Sequence, residues 1–170
     1  MHIAMRWVTF LVALGLVFYF SKYEFGPFKE QHKGVDTLDG KMWYWPTAVR
    51  PMLERLGDFR AAYIEQEQTV DMIFPLLYGL MLMVPIVTLA TALNQPRLIA
   101  LLPLMAVFGD YVEDMTVIAM LKRWPNLGWL PNLASLASAT KGVGLLASTG
   151  AIVVLAVMWI VRFSAHARAA

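Results

Sequence analysis

The chain has 170 residues, of which 59% are hydrophobic and 15% charged, against about 25% charged in a typical soluble domain. A formal net charge of +2 with no long basic run argues against nucleic-acid binding, and the lack of any cysteine excludes disulfides, thiolate metal sites and thiol nucleophiles. These facts point to a single lipid-embedded domain, residues 1–170, made of a few crossing helices.

The first apolar run, Trp7 to Ser21, lies between Arg6 and Lys22. It is short for a bilayer-spanning helix, which needs about 20 residues, so it must recruit its flanks, with Arg6 and Lys22 snorkelling to the headgroups. A secretory signal has a similar start, but the following SKYEFGPF offers no small-x-small cleavage site. We expect a retained first span over about residues 4–24.

An extramembrane loop, 25–68, follows. Its front half, EFGPFKEQHKGVDTLDGK, is rich in turn formers. MWYW, Met42 to Trp45, reads as an interfacial aromatic cluster. Thr47 is placed to cap a short helix ending at Gly57, and Asp58 to cap a second helix running into the next span.

The remaining spans are expected over about 69–94, 97–122 and 132–162. The tight NQPR turn makes the second and third antiparallel neighbours, and WPNLGWLP turns the chain into the fourth. Pro75, Pro85 and Pro103 fall inside spans, where membrane helices tolerate them. Gly142, Gly144 and Gly150 mark close helix packing. The expected fold is all-α: a polytopic membrane protein with four transmembrane helices in an antiparallel bundle and a long, helix-containing loop between spans one and two.

Four spans put both termini on one side of the membrane. Lysine and arginine are more numerous on the side of the long loop, whereas Arg6 ahead of the first span favours cytoplasmic termini. We expect a multi-pass protein of the bacterial inner membrane with cytoplasmic termini.

The third span holds the stretch FGDYVEDMTV. Its eleven large aliphatic and Phe positions favour insertion by roughly 3–7 kcal/mol in total. Three ionised carboxylates near mid-span cost roughly 2.5–3.5 kcal/mol each. The penalty matches or exceeds the gain, so the acidic side needs partner helices, neutral carboxyls or counter-charges. Asp110, Glu113 and Asp114 follow the i, i+3, i+4 spacing of one helical face. Helical rise brings Tyr78 of span two and Lys141 of span four to a similar depth, with Ser138 and Thr140 nearby and Asp71 at the surface above. Arg60 and Tyr63 are placed to cover the cluster.

Asp110, Glu113, Asp114 and Lys141 sum to −2 when all are ionised. One ion pair leaves two carboxyls to be protonated, hydrated or balanced by a cationic ligand. The candidate ligand- or ion-binding residues are thus Asp110, Glu113, Asp114, Lys141, Tyr78 and Asp71. No zinc-type site is expected, because His2, His32 and His166 lie outside the spans. The structural alternative is an ion pair that fastens spans three and four.

The motif-bearing residues are Leu56, Gly57, Arg60 and Tyr63; Asp71, Phe74, Pro75, Tyr78 and Gly79; and Asp110, Glu113 and Asp114. The pattern LGxxRxxY, DxxFPxxYG and DxxE[ND] resembles that of a family of small uncharacterised four-helix bacterial membrane proteins. The resemblance covers roughly residues 50–145 and implies the four-helix fold. Asp114 stands where that pattern usually has Asn, which adds a negative charge.

Three functions fit these residues. One is an integral membrane protein binding a small molecule, proton or cation at the buried cluster. The second is an accessory or assembly subunit of a larger membrane complex, or a homo-oligomer. The third is an intramembrane enzyme acting on a lipid or isoprenoid, although no catalytic motif is recognisable and the sequence points to no cofactor. The expected partner in every case is the lipid bilayer, with no nucleic acid.

Overall fold

The computed structural model describes residues 3–22, 37–38 and 40–169. Among them the fold is all-helical: α1 (Ile3–Phe20), α2 (Pro46–Leu56), α3 (Arg60–Ala92), α4 (Leu102–Arg123) and α5 (Leu130–Ala169), with short 3₁₀ turns at Gly57–Phe59 and Arg97–Leu101. The expected end of the first span at residue 24 and the front of the long loop, 25–36, lie outside the described residues.

Local chemistry explains the breaks. Pro46 opens α2, where a missing N–H costs nothing. Thr47 does not cap it: Trp45 holds the N-cap position and no side chain bonds the first turn. Gly57 ends α2 with φ +51°, a conformation that suits glycine. Asp58 is not a cap either. It lies in the 3₁₀ turn, and α3 starts at Arg60 without a side-chain cap. From there α3 runs unbroken for 33 residues past Pro75 and Pro85. It therefore begins within the stretch expected to be loop. Pro103 sits in the first turn of α4, not in mid-helix, so it needs no kink.

α4 packs most extensively on α5, α3 contacts both, and α1 lies chiefly against α3. α4 runs antiparallel to α5, because Gly109 lies against Ala137 and Lys141 while Gly144 lies against Ala106. α3 runs alongside α5: Tyr78 and Leu82 cluster near Leu145, and Ile86 and Ala90 cluster with Leu155.

The distribution of polarity is the reverse of a water-soluble fold. Large apolar side chains such as Leu11, Phe18, Leu76, Phe108, Val153 and Val157 point outward, while Glu67, Asp71, Asp110, Glu113, Asp114 and Lys141 are buried. Soluble proteins seldom bury such charges. Two helical stretches, 46–92 and 130–162, are long and apolar enough to cross a membrane, and the apolar part of α1 is shorter.

Candidate functional site

α3 contributes one face. Tyr63, Glu67, Asp71, Pro75 and Tyr78 recur at intervals of three or four residues and all are buried. α4 contributes Asp110, Glu113 and Asp114 from its own buried face. α5 contributes Lys141. Gly109 makes the meeting possible: a Cβ there would lie 2.6 Å from the Lys141 backbone nitrogen and 2.9 Å from the Ala137 carbonyl oxygen. Glycine thus lets α4 close on α5 beside Asp110, in the manner of small-residue packing between membrane helices.

The centre is a compact ionic network. Lys141 Nζ lies 2.9 Å from Asp110 Oδ1 and 2.5 Å from Glu113 Oε2. The Tyr78 hydroxyl donates to Asp110 Oδ2 at 2.8 Å, so both oxygens of Asp110 are engaged. The Tyr44 phenol reaches in from the loop and lies against Glu113. Asp114 is buried one turn along α4 from Asp110. Beside it the Tyr111 hydroxyl donates to the Met72 carbonyl at 2.8 Å, which locks the register of α3 and α4. Gln66 Nε2 donates to Asp71 Oδ2 at 3.4 Å.

Five carboxyl side chains and one lysine are the buried charged groups among the described residues. Burying charge is costly, so grouped carboxyls favour shared protons or positive partners. Among the described residues no three His, Asp or Glu side chains are grouped so as to hold a metal ion. The chemistry open to the cluster is hydrogen bonding and charge pairing: holding a proton between carboxyls, or pairing with a compact cation or amine.

Tyr78, Asp110, Glu113 and Lys141, inferred from helical rise, come together from three helices. Other expectations require correction. Asp71 is buried between the helices, and α3 extends three turns beyond it towards the loop. Thr140 turns its hydroxyl to Leu136 on its own helix, and Ser138 bonds the Lys41 carbonyl, so neither joins the cluster. Gly150 has open space around it and marks no close contact. Arg60 turns out over the Trp124 ring, 5.2 Å from its centroid. Tyr63, by contrast, stays on the loop side of the cluster, fully buried in the apolar layer that includes Leu38, Val117 and Met120.

Glu67, Gln66 and Tyr44 are buried without having been expected to be. Glu67 lies four residues from both Tyr63 and Asp71, a spacing that already marks it as facing inward. Tyr44, within a run that reads as interfacial, has no comparable sequence signal. Its inward turn depends on Ser135 Oγ donating to its carbonyl at 2.5 Å.

No protein-family model matches the chain, and no match was found among curated proteins or solved structures.

Proposed function

We propose that this chain is a four-span protein of the bacterial inner membrane that binds a small molecule, a proton or a cation at the Asp110–Glu113–Lys141 cluster. The observation that carries this reading is Lys141, clasped between two carboxylates inside a bundle whose outer surface is apolar. Ionisable groups inside a membrane bundle are expensive and are kept where they take part in function. Asp114 on α4 and Asp71 and Glu67 on α3 are further buried carboxyls. The outward-facing aliphatic and Phe side chains support lipid contact, and the two long apolar helices support membrane crossing, with α1 and α4 read as the other two spans. The motif resemblance supports the bacterial membrane.

The test is gentle purification from native membranes, with mass spectrometry of everything that accompanies wild type and Asp110→Asn. A small molecule present with wild type and lost from the variant supports a ligand site. If none accompanies wild type, reconstituted vesicles under a pH or cation gradient read the other two cases. The absence of both a ligand and a flux overturns the proposal.

A second reading, an accessory subunit, is favoured by the completeness of the Lys141 pairing, which suits a structural fastener. Trp43, Trp45 and Trp129, exposed at the loop end, suit a contact surface. Defined protein partners that persist in Asp110→Asn support this alternative.

A further inference from the structure

Three helices meet on one indole at the loop end. Trp124 holds the C-cap position of α4 and packs in part against the apolar layer around Tyr63. The guanidinium carbon of Arg50, on α2, lies 5.5 Å from the centre of its ring, and that of Arg60, at the start of α3, lies 5.2 Å from it. Each arginine is also fixed by one carbonyl. Arg50 donates to the Pro125 oxygen at 2.9 Å, and Arg60 donates to the Leu53 oxygen at 3.4 Å. Contact with an aromatic face and a single carbonyl bond orient a guanidinium without neutralising it.

The contrast with Lys141 is in the charge balance. Lys141 is clasped by two carboxylates. Among the described residues neither Arg50 nor Arg60 forms an ion pair, although Glu54 stands only one turn from Arg50 on α2. A guanidinium carries five N–H donors in a rigid fork, and the carbonyl takes one of them. The rest match a pair of phosphate oxygens, which arginine binds bidentately. Lys122 and Arg123, both exposed, directly precede Trp124. Glu54, Asp58 and Glu65 are exposed acids of this end, and Arg50, Arg55, Arg60, Lys122 and Arg123 outnumber them.

Depth supplies the partner. α4 has 22 residues, about 33 Å of helix, close to the roughly 30 Å of a bilayer's hydrocarbon core. A span of that length brings Trp124 to the boundary between acyl chains and headgroups. Trp43, Trp45 and Trp129 are exposed at the same end, as indoles at that boundary are. The anions concentrated at this level are lipid phosphates. Their acyl chains hold them there, whereas a free anion must leave bulk water to reach it.

We propose that Arg50 and Arg60, held on Trp124, form a binding site for the phosphate of an acidic membrane phospholipid, with Lys122 and Arg123 supplying the surrounding positive field. A zwitterionic headgroup is disfavoured, because the same cations repel its ammonium group. The inference rests on the reading of the chain as membrane-spanning and needs no ligand at the Asp110–Glu113–Lys141 cluster.

The full chain, purified in a non-ionic detergent, is given equal amounts of dioleoyl phosphatidylglycerol and dioleoyl phosphatidylcholine, and native mass spectrometry reads which lipid it retains. Wild type should favour phosphatidylglycerol by roughly tenfold or more. Arg50→Gln plus Arg60→Gln should remove most of that preference. Arg97→Gln plus Arg162→Gln, which removes the same charge at the other end, should keep it. Arg50→Lys plus Arg60→Lys retains charge but loses the planar fork, so the preference should fall by about threefold or more. No preference in wild type overturns the proposal, as does a preference untouched by the Gln pair. A full preference in the Lys pair overturns it too, because charge alone then suffices. If the Gln pair does not fold, the Lys pair decides by the same readout. Inorganic phosphate at matched ionic strength should leave the lipid bound, and displacement would mean a site for a free anion instead. A chain that alkaline carbonate strips from native membranes overturns the membrane-spanning reading itself, a result distinct from any change in lipid preference.

Discussion

The two ends of the bundle are built on different principles. Toward the loop, α3, α4 and α5 enclose carboxyls, a lysine and tyrosine hydroxyls, beside the non-helical residues 40–45 and an apolar layer around Tyr63. At the other end the same α3 and α5 bury Ile86, Ala90, Leu93 and Leu155 against one another. Apolar contacts between helices in lipid gain little from the hydrophobic effect, because acyl chains are just as apolar. Ion pairs and hydrogen bonds shielded from water carry more of the specificity at the loop end. One end thus depends on particular partners, the other on shape.

Substitutions that separate the two ends sharpen this contrast. The largest effect is expected for Lys141→Met. It leaves Asp110 and Glu113 without their counter-charge, and breaking a buried pair in this way costs about 3–5 kcal/mol. Thermal unfolding in detergent should show a large drop in midpoint, and a midpoint near wild type would break the comparison. Restoring charge balance with Lys141→Met plus Glu113→Gln should recover part of the loss.

Tyr78→Phe comes next. It removes the hydroxyl that donates to Asp110 and should cost about 1.5–3 kcal/mol, the range for hydrogen bonds to charged groups. A loss below about 0.5 kcal/mol would mean that water takes the place of the phenol. At the apolar end Ile86→Val deletes one buried methylene and should cost about 0.5–1.5 kcal/mol. Gly150→Ala should cost nothing and stabilise by about 0.5–1 kcal/mol, because alanine is the better helix former and no atom lies near the added carbon. A penalty there would place an unrecognised partner against that face of α5.

Much of the α3–α4–α5 arrangement was legible in the residues. Asp110, Glu113 and Asp114 share a face because 3.6 residues make a turn. Tyr78 and Lys141 reach the same depth because every α-helix rises by the same amount per residue. Gly109 was harder to read. Its importance lies in the Ala137 carbonyl and the Lys141 backbone nitrogen facing it on another helix, and neither neighbour is near it in sequence. The caps at Thr47 and Asp58 failed for a related reason. Capping propensity is local, while packing of α2 and α3 into the apolar layer around Leu53, Leu56 and Tyr63 sets where those helices begin.

The sequence by itself determined that apolar helices dominate this chain and that one of them carries three acids on a single face. Hydrophobic run length and helical periodicity are properties of neighbours along the backbone, so no fold is needed to read them. Only the tertiary structure decided that Tyr44 turns inward while Trp43 and Trp45 turn out, that Glu67 and Asp71 are buried, and that Thr140 and Arg60 stay apart from the cluster. Those outcomes depend on donors and spaces supplied from far along the chain: Ser135 for the Tyr44 carbonyl, Ser138 for Lys41, and the missing side chain of Gly142 for Met42. A non-helical segment has no periodicity of its own to announce its inner face, so its orientation follows from the groove that receives it.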